Sequence, residues 1–168
     1  MKITSEAFED HGSIPAEYTC DGRRVNPPLS FEDVPRDAQS LVLIMDDIDA
    51  SHMPDSIWNH WLLWNIAPET KGIAAAVGTP PGVNGHSTGG ELEYQGPCPP
   101  EGEHRYVFRL FALDRELHLD VEATRRPSLL KAMEGCILAR AELTGRYART
   151  LARGDAENGV PVETQELV

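Results

Sequence analysis

The sequence predicts a mainly β protein, folded as a β-sandwich with one C-terminal helical segment. Three observations predict it. Short apolar runs rich in leucine, β-branched and aromatic residues recur at residues 40–50, 59–68 and 104–114, each about the length of a strand. The stretches between them are rich in Gly, Pro and Asn, which punctuate strands rather than extend helices. One stretch alone, after Pro127, carries a helical repeat of apolar residues.

Taken in order, residues 1–31 alternate short apolar pieces with turn residues: Gly12, Pro15, Asp21-Gly22 and Asn26-Pro27-Pro28. That punctuation suits strands and irregular connections. SLVLIMDDIDA (40–50) reads as a buried strand that reaches the surface where the acids begin. NHWLLWNIAP (59–68) is the second strand. At a period of two, Trp58, His60, Leu62 and Trp64 share one face, and Asn59, Trp61, Leu63 and Asn65 the other. Trp61 and Trp64 are expected in the core. Residues 72–103, including GTPPGVNGHSTGG and GPCPPEGE, are expected as a long functional or mobile loop region. HRYVFRLFALD (104–114) is the third strand, with Tyr106, Phe108 and Leu110 on one face.

Pro127 suits a first helical position, and Leu129, Met133, Ile137 and Ala141 recur every fourth residue, predicting a helix over 129–141. ELTGRYAR resumes a period of two through Leu143, Gly145 and Tyr147. Beyond Arg149 the apolar pattern fades. The expectation is one domain over 1–151, followed by a flexible acidic tail over 152–168.

Twenty-seven acidic against 15 basic side chains give a formal net charge of -12, so a nucleic-acid backbone or an anionic membrane surface would be repelled on average. No window reaches the roughly 20 apolar residues of a membrane span, and no apolar stretch opens the chain. A cytoplasmic protein is expected. In such a reducing compartment Cys20, Cys98 and Cys136, which fit no metal-ligand spacing, are expected as three free thiols.

Each strong strand carries an ionisable residue at one end of an apolar face. Asp47 follows Leu41, Leu43 and Met45; His60 precedes Leu62 and Trp64; His104 precedes Tyr106, Phe108 and Leu110. If those ends meet, a carboxylate and two imidazoles form a polar pocket at the rim of the sandwich.

The strings that surround these residues carry a resemblance. EYTCDG with NPPLSF, LVLIMDDIDA, WNHWLLWNIAPET, GPCPPEGEHRYVFRLFALD and ATRRPSLLKAMEGCILARAELTGRYAR, in that order, resemble the phosphatidylethanolamine-binding protein family, in its prokaryotic Raf-kinase-inhibitor-like branch. The resemblance implies an antiparallel sandwich with Greek-key connections and an anion-accepting pocket. It implies Asp47 and Asp49 from the aspartate motif, Trp58 and His60, Cys98 and Pro99 from the preceding loop, and His104 with Tyr106 as ligand-binding residues. Tyr94 is implied as a cover. Two departures stand out: Ile48 and Ser51 replace prolines of the family motif, so the loop over 49–55 loses two rigid rings.

The expected chemistry is binding of a small anion, such as a phosphate-bearing head group or a phosphorylated or acidic peptide, by histidines able to carry charge near neutral pH. Binding should then tighten on acidification. The resemblance also implies regulation or inhibition of kinases or proteases through a protein partner, and a homodimer. No cofactor or metal is expected. The alternative class is a hydrolytic enzyme using the His/Asp cluster or a Cys98 thiolate.

Overall fold

The run Leu41–Met45 is apolar at every position rather than at alternate ones, and the structure shows why: it is the middle of a sheet covered on both faces. The computed structural model describes residues 1–50 and 57–149. Eight strands and one α-helix follow in the order β1 (Lys2–Thr4), β2 (Leu29–Glu32), β3 (Ser40–Asp47), β4 (Trp58–Ile66), β5 (Gly72–Ile73), β6 (Val83–Gly85), β7 (Glu103–Leu113), α1 (Arg126–Met133) and β8 (Ile137–Ala148). A five-stranded sheet has the order β6-β4-β3-β7-β8, and a three-stranded sheet the order β1-β2-β5. All strand pairs are antiparallel. In the large sheet β3, β4 and β6 lie side by side in chain order, and β7 returns next to β3, which is a Greek-key arrangement.

The main core lies between the sheets. Ile3, Leu29, Phe31 and Ile73 of the small sheet meet Leu41, Leu43, Met45, Trp61, Leu63, Phe108 and Leu110 of the large one. A second core covers the opposite face of the large sheet, where Val42, Ile44, Leu62, Trp64 and Phe111 pack under Leu129 and Met133 of α1. Both tryptophans are core residues, as expected, but on opposite faces. At the start of the helix Ser128 Oγ accepts from the Arg125 N–H at 3.0 Å, with Pro127 in the first turn.

Two expectations need correction. The helix does not run over 129–141: it stops at Met133, and Ile137–Ala148 is β8, the long edge strand against β7. Gly135 has a φ of 75°, a left-handed position that ends the helix at little cost. The every-fourth-residue repeat beyond Met133 was a coincidence of spacing, since Ile137 is exposed. The stretch 72–103 is not wholly loop either, because β5 and β6 lie in it and complete the two sheets. The expected acidic tail over 152–168 and most of the expected loop over 49–55 lie outside the described residues.

Candidate functional site

Strand β4 carries two irregularities that re-aim its side chains. Met45 pairs with Trp61 but Asp46 with Asn59, so His60 is an extra residue on β4. A bulge of this kind shifts the alternation by one. The parity expectation that put His60 with Leu62 and Trp64 is therefore overturned: those two lie under α1, whereas Trp58 and His60 line a cavity with Asp47. A second shift leaves Asn65 unpaired between Leu63 and Ile66, at a φ of 52°. Its side chain holds the Leu117 main chain through two hydrogen bonds of 2.8 Å.

The cavity has a volume of about 600 Å³ and is lined by residues from four segments, among them Asp47, Trp58, His60, Tyr94, Cys98 and Arg24. Asp47 pairs with Tyr106 on one side and Trp58 on the other, so the register of the large sheet brings the three strand ends together. The Asp47 carboxylate accepts from His104 Nδ1 at 2.7 Å and from the Asp49 N–H at 2.9 Å. Both its oxygens are thus committed within the protein. His60 Nδ1 donates to the Gln95 carbonyl at 2.8 Å, which leaves Nε2 as the ring atom without a partner among the described residues. Burial pushes the His60 pKa down, and the Gln95 carbonyl and the Asp47 charge offset that only in part. The Tyr106 ring meets His60 edge-on at 5.3 Å. Its hydroxyl is buried near the Asp47 carboxyl and the Cys98 main chain, yet has no well-directed hydrogen bond among the described residues. Burial, then the Asp47 charge, raises its pKa, so it stays a neutral donor.

The remaining expected residues are placed differently. Asp49 does not line the cavity: it grips Arg105 through Nε at 2.9 Å and Nη2 at 2.7 Å, and that hydrogen bonding is the first cause of its lowered pKa. Pro99 is buried behind the cavity loop rather than on the lining. Cys98 is not a free thiol. It is joined to Cys20, 78 residues earlier, and only Cys136 is free and buried. The expectation of three free thiols fails because the segment around Cys20 lies along the 94–98 segment: Cys20 N–H donates to the Pro97 carbonyl at 3.0 Å, and the Tyr94 hydroxyl to the Tyr18 carbonyl at 2.8 Å. At Gly96 an added Cβ would stand 2.9 Å from the Tyr18 carbonyl oxygen, which is why the two segments can approach so closely. The disulfide also removes the Cys98 thiolate from the enzymatic alternative.

Sequence reading missed Arg24, Glu91, Glu93 and Gln95, which complete the lining or hold His60. They lie on irregular segments without periodicity, and only the Cys20–Cys98 pairing could have pointed to Arg24. It also missed Asp46. On the α1 side of the sheet this fully buried carboxylate accepts from Arg109 Nη1 at 2.7 Å, Arg126 Nε at 2.9 Å and Asn59 Nδ2 at 3.0 Å.

Comparison with known proteins places this geometry. Residues 4–148 match the family model described as phosphatidylethanolamine-binding protein. The chain belongs to that family. Within the family it is 47% identical over 154 residues to a UPF0098 protein of Methanothermobacter thermautotrophicus, covering 89% of this chain and 99% of the relative. A UPF0098 protein of Chlamydia trachomatis is 44% identical over 151 residues, covering 89% and 99%. The crystal structure of a homologue of phosphatidylethanolamine-binding protein from Chlamydia trachomatis superposes with a TM-score of 0.84 at 43% identity, covering 88% of this chain and 97% of that one. YbcL of E. coli shares the fold, with a TM-score of 0.79 at 23% identity over 88% and 98% of the two chains. No helix among the described residues is long and apolar enough to cross a membrane.

Proposed function

We propose that this member of the phosphatidylethanolamine-binding family is a receptor for a small phosphate-bearing ligand, bound in the cavity beside Asp47. The observation that carries the reading is the convergence of His60, Arg24 and Asp47 at one hollow of about 600 Å³, with His104 off the lining and paired to Asp47. Arg24 supplies the permanent positive charge there, and its guanidinium enters no ion pair among the described residues, making only a long 3.4 Å contact to the Cys20 carbonyl. A planar guanidinium suits two phosphate oxygens at once.

Glu91 and Glu93 stand on the same lining. They oppose a bare multivalent anion and favour a ligand that pairs its phosphate with an ammonium group, as a phosphoethanolamine head group does. Asp47 is not the ammonium acceptor in this reading, since His104 and the Asp49 N–H already occupy it.

Neutral His60 offers an acceptor at Nε2. A bound phosphate supplies the negative charge that favours the imidazolium, so binding draws a proton onto the ring. The ligand-bound pKa then exceeds the depressed free-state one, and affinity rises as pH falls through that interval. Calorimetry with phosphoethanolamine and with inorganic phosphate from about pH 8 to about pH 5.5 tests the proposal. The expected result is binding that tightens on acidification, with proton uptake, and weakens about tenfold or more in Arg24→Gln. Absence of binding by the wild-type chain, or equal binding by a His60→Ala, His104→Ala double variant, would remove the reading.

A further inference from the structure

Both sulfurs of the disulfide belong to residues that line the ligand cavity, and Cys98 is exposed whereas Cys20 is half-buried. The bond joins two walls with different tasks. The Cys98 side carries Gln95, whose carbonyl accepts from His60 Nδ1 and whose N–H donates to the His60 carbonyl at 3.0 Å. The Cys20 side carries Arg24 four residues on. We propose that the Cys20–Cys98 disulfide is a thiol-exchange site built into the cavity wall, open to small thiols and dithiols, and that its state sets how well the cavity holds an anion.

The chemistry is ordinary exchange. A thiolate attacks the sulfur of Cys98, the more exposed of the two residues, and forms a mixed disulfide; the Cys20–Cys98 bond breaks, and its electron pair leaves on Cys20, which takes a proton from water. With a dithiol, the second thiolate then attacks the mixed disulfide, Cys98 departs as a thiol, and the reductant becomes the disulfide. Two electrons and two protons pass to the protein.

Other contacts join the two walls besides the bond. The two walls remain attached by the Cys20–Pro97 and Tyr94–Tyr18 hydrogen bonds, while Asp21 holds the Tyr147 hydroxyl at 2.6 Å and so ties the Cys20 segment to β8. Exchange therefore acts locally. It frees the spacing between Arg24 and His60, and a less preorganised site binds more weakly. In the glutathione adduct the added tripeptide also occupies the cavity mouth. This consequence for binding rests on the anion-receptor reading; the exchange itself does not.

The experiment uses the full chain purified without reductant. After native incubation with glutathione, or with dithiothreitol, free thiols are alkylated and mapped by mass spectrometry. Expected are a glutathione adduct on Cys98 in the first case, and alkylation of Cys20 and Cys98 but not buried Cys136 in the second. Calorimetry with inorganic phosphate should show affinity about tenfold lower in the reduced chain and in a Cys20→Ser, Cys98→Ser double variant than in the oxidised chain. A disulfide that resists both thiols under native conditions would overturn the exchange site. So would global unfolding of the reduced chain by circular dichroism, which would make the bond a staple of the fold. Equal phosphate affinity in all three forms would overturn the coupling. If the oxidised chain binds no phosphate, the receptor reading falls, and the mapped thiols alone decide the exchange site.

Discussion

His60 is the residue on which the cavity turns, and its burial has a consequence for stability that can be read without any ligand. Its pKa in the folded chain lies below the ordinary value near 6.5 because burial disfavours the charged ring. In the window below about pH 6.5 the unfolded chain therefore binds more protons than the folded one, so stability is fully present above that window and is lost as pH falls through it. In His60→Gln this contribution is absent. Urea unfolding of both proteins between about pH 8 and about pH 5 should show the wild type losing ground to the variant on the acid side, at no more than about 1.4 kcal/mol per pH unit. Curves that stay parallel would contradict a neutral buried His60. That His60 sits at the start of a strand was legible in the string WNHW; which way it faces was not, because a bulge one residue long reverses the alternation and leaves no mark in the composition of β4.

Among the elements, α1 is fastened to the sheet by an ion cluster as well as by its apolar face. Asp46 on β3 is fully buried and accepts from Arg109 on β7 and from Arg126 at the first turn of α1, while Leu129 and Met133 fill the space alongside. Replacing Asp46 by Asn keeps the shape and leaves two guanidinium groups, each about one quarter exposed, facing a neutral amide. Loss of one partner of a buried pair costs about 3 kcal/mol or more, and the partial exposure of the arginines holds this variant to roughly 3 kcal/mol. The midpoint of denaturant unfolding should fall accordingly, and an added Arg126→Met change should cost less in the Asp46→Asn background than in the wild type. Additive losses would show that the two groups do not interact. The pair of acids at 46 and 47 thus splits by strand parity, one carboxylate serving the helix side of the sheet and its neighbour the cavity side. The same parity put Asp47 and His104 at neighbouring strand ends, where they do pair, whereas the helix end was misread because an apolar every-fourth repeat continued by chance across Gly135 into an edge strand.

At the scale of the whole molecule the disulfide closes a loop of 78 residues that spans most of the sandwich. In the chain-entropy description a crosslink over such a loop stabilises the fold by up to about 4.5 kcal/mol by restricting the unfolded chain. The Cys20→Ser, Cys98→Ser variant should remain folded yet melt roughly 10 °C lower than the oxidised wild type. An unchanged midpoint would mean that the unfolded chain gains nothing from the missing link. The sequence by itself determined the β class, the three central strands, the core tryptophans and the family, because these depend on apolar patterning and on local strings that a single strand or turn carries. Tertiary structure alone decided the partner of Cys98, the place of Arg24 in the cavity, the face of His60 and the end of α1. Each of these rests on contacts between segments far apart in the chain or on a one-residue shift in register, and neither leaves a periodic trace for a linear reading to find.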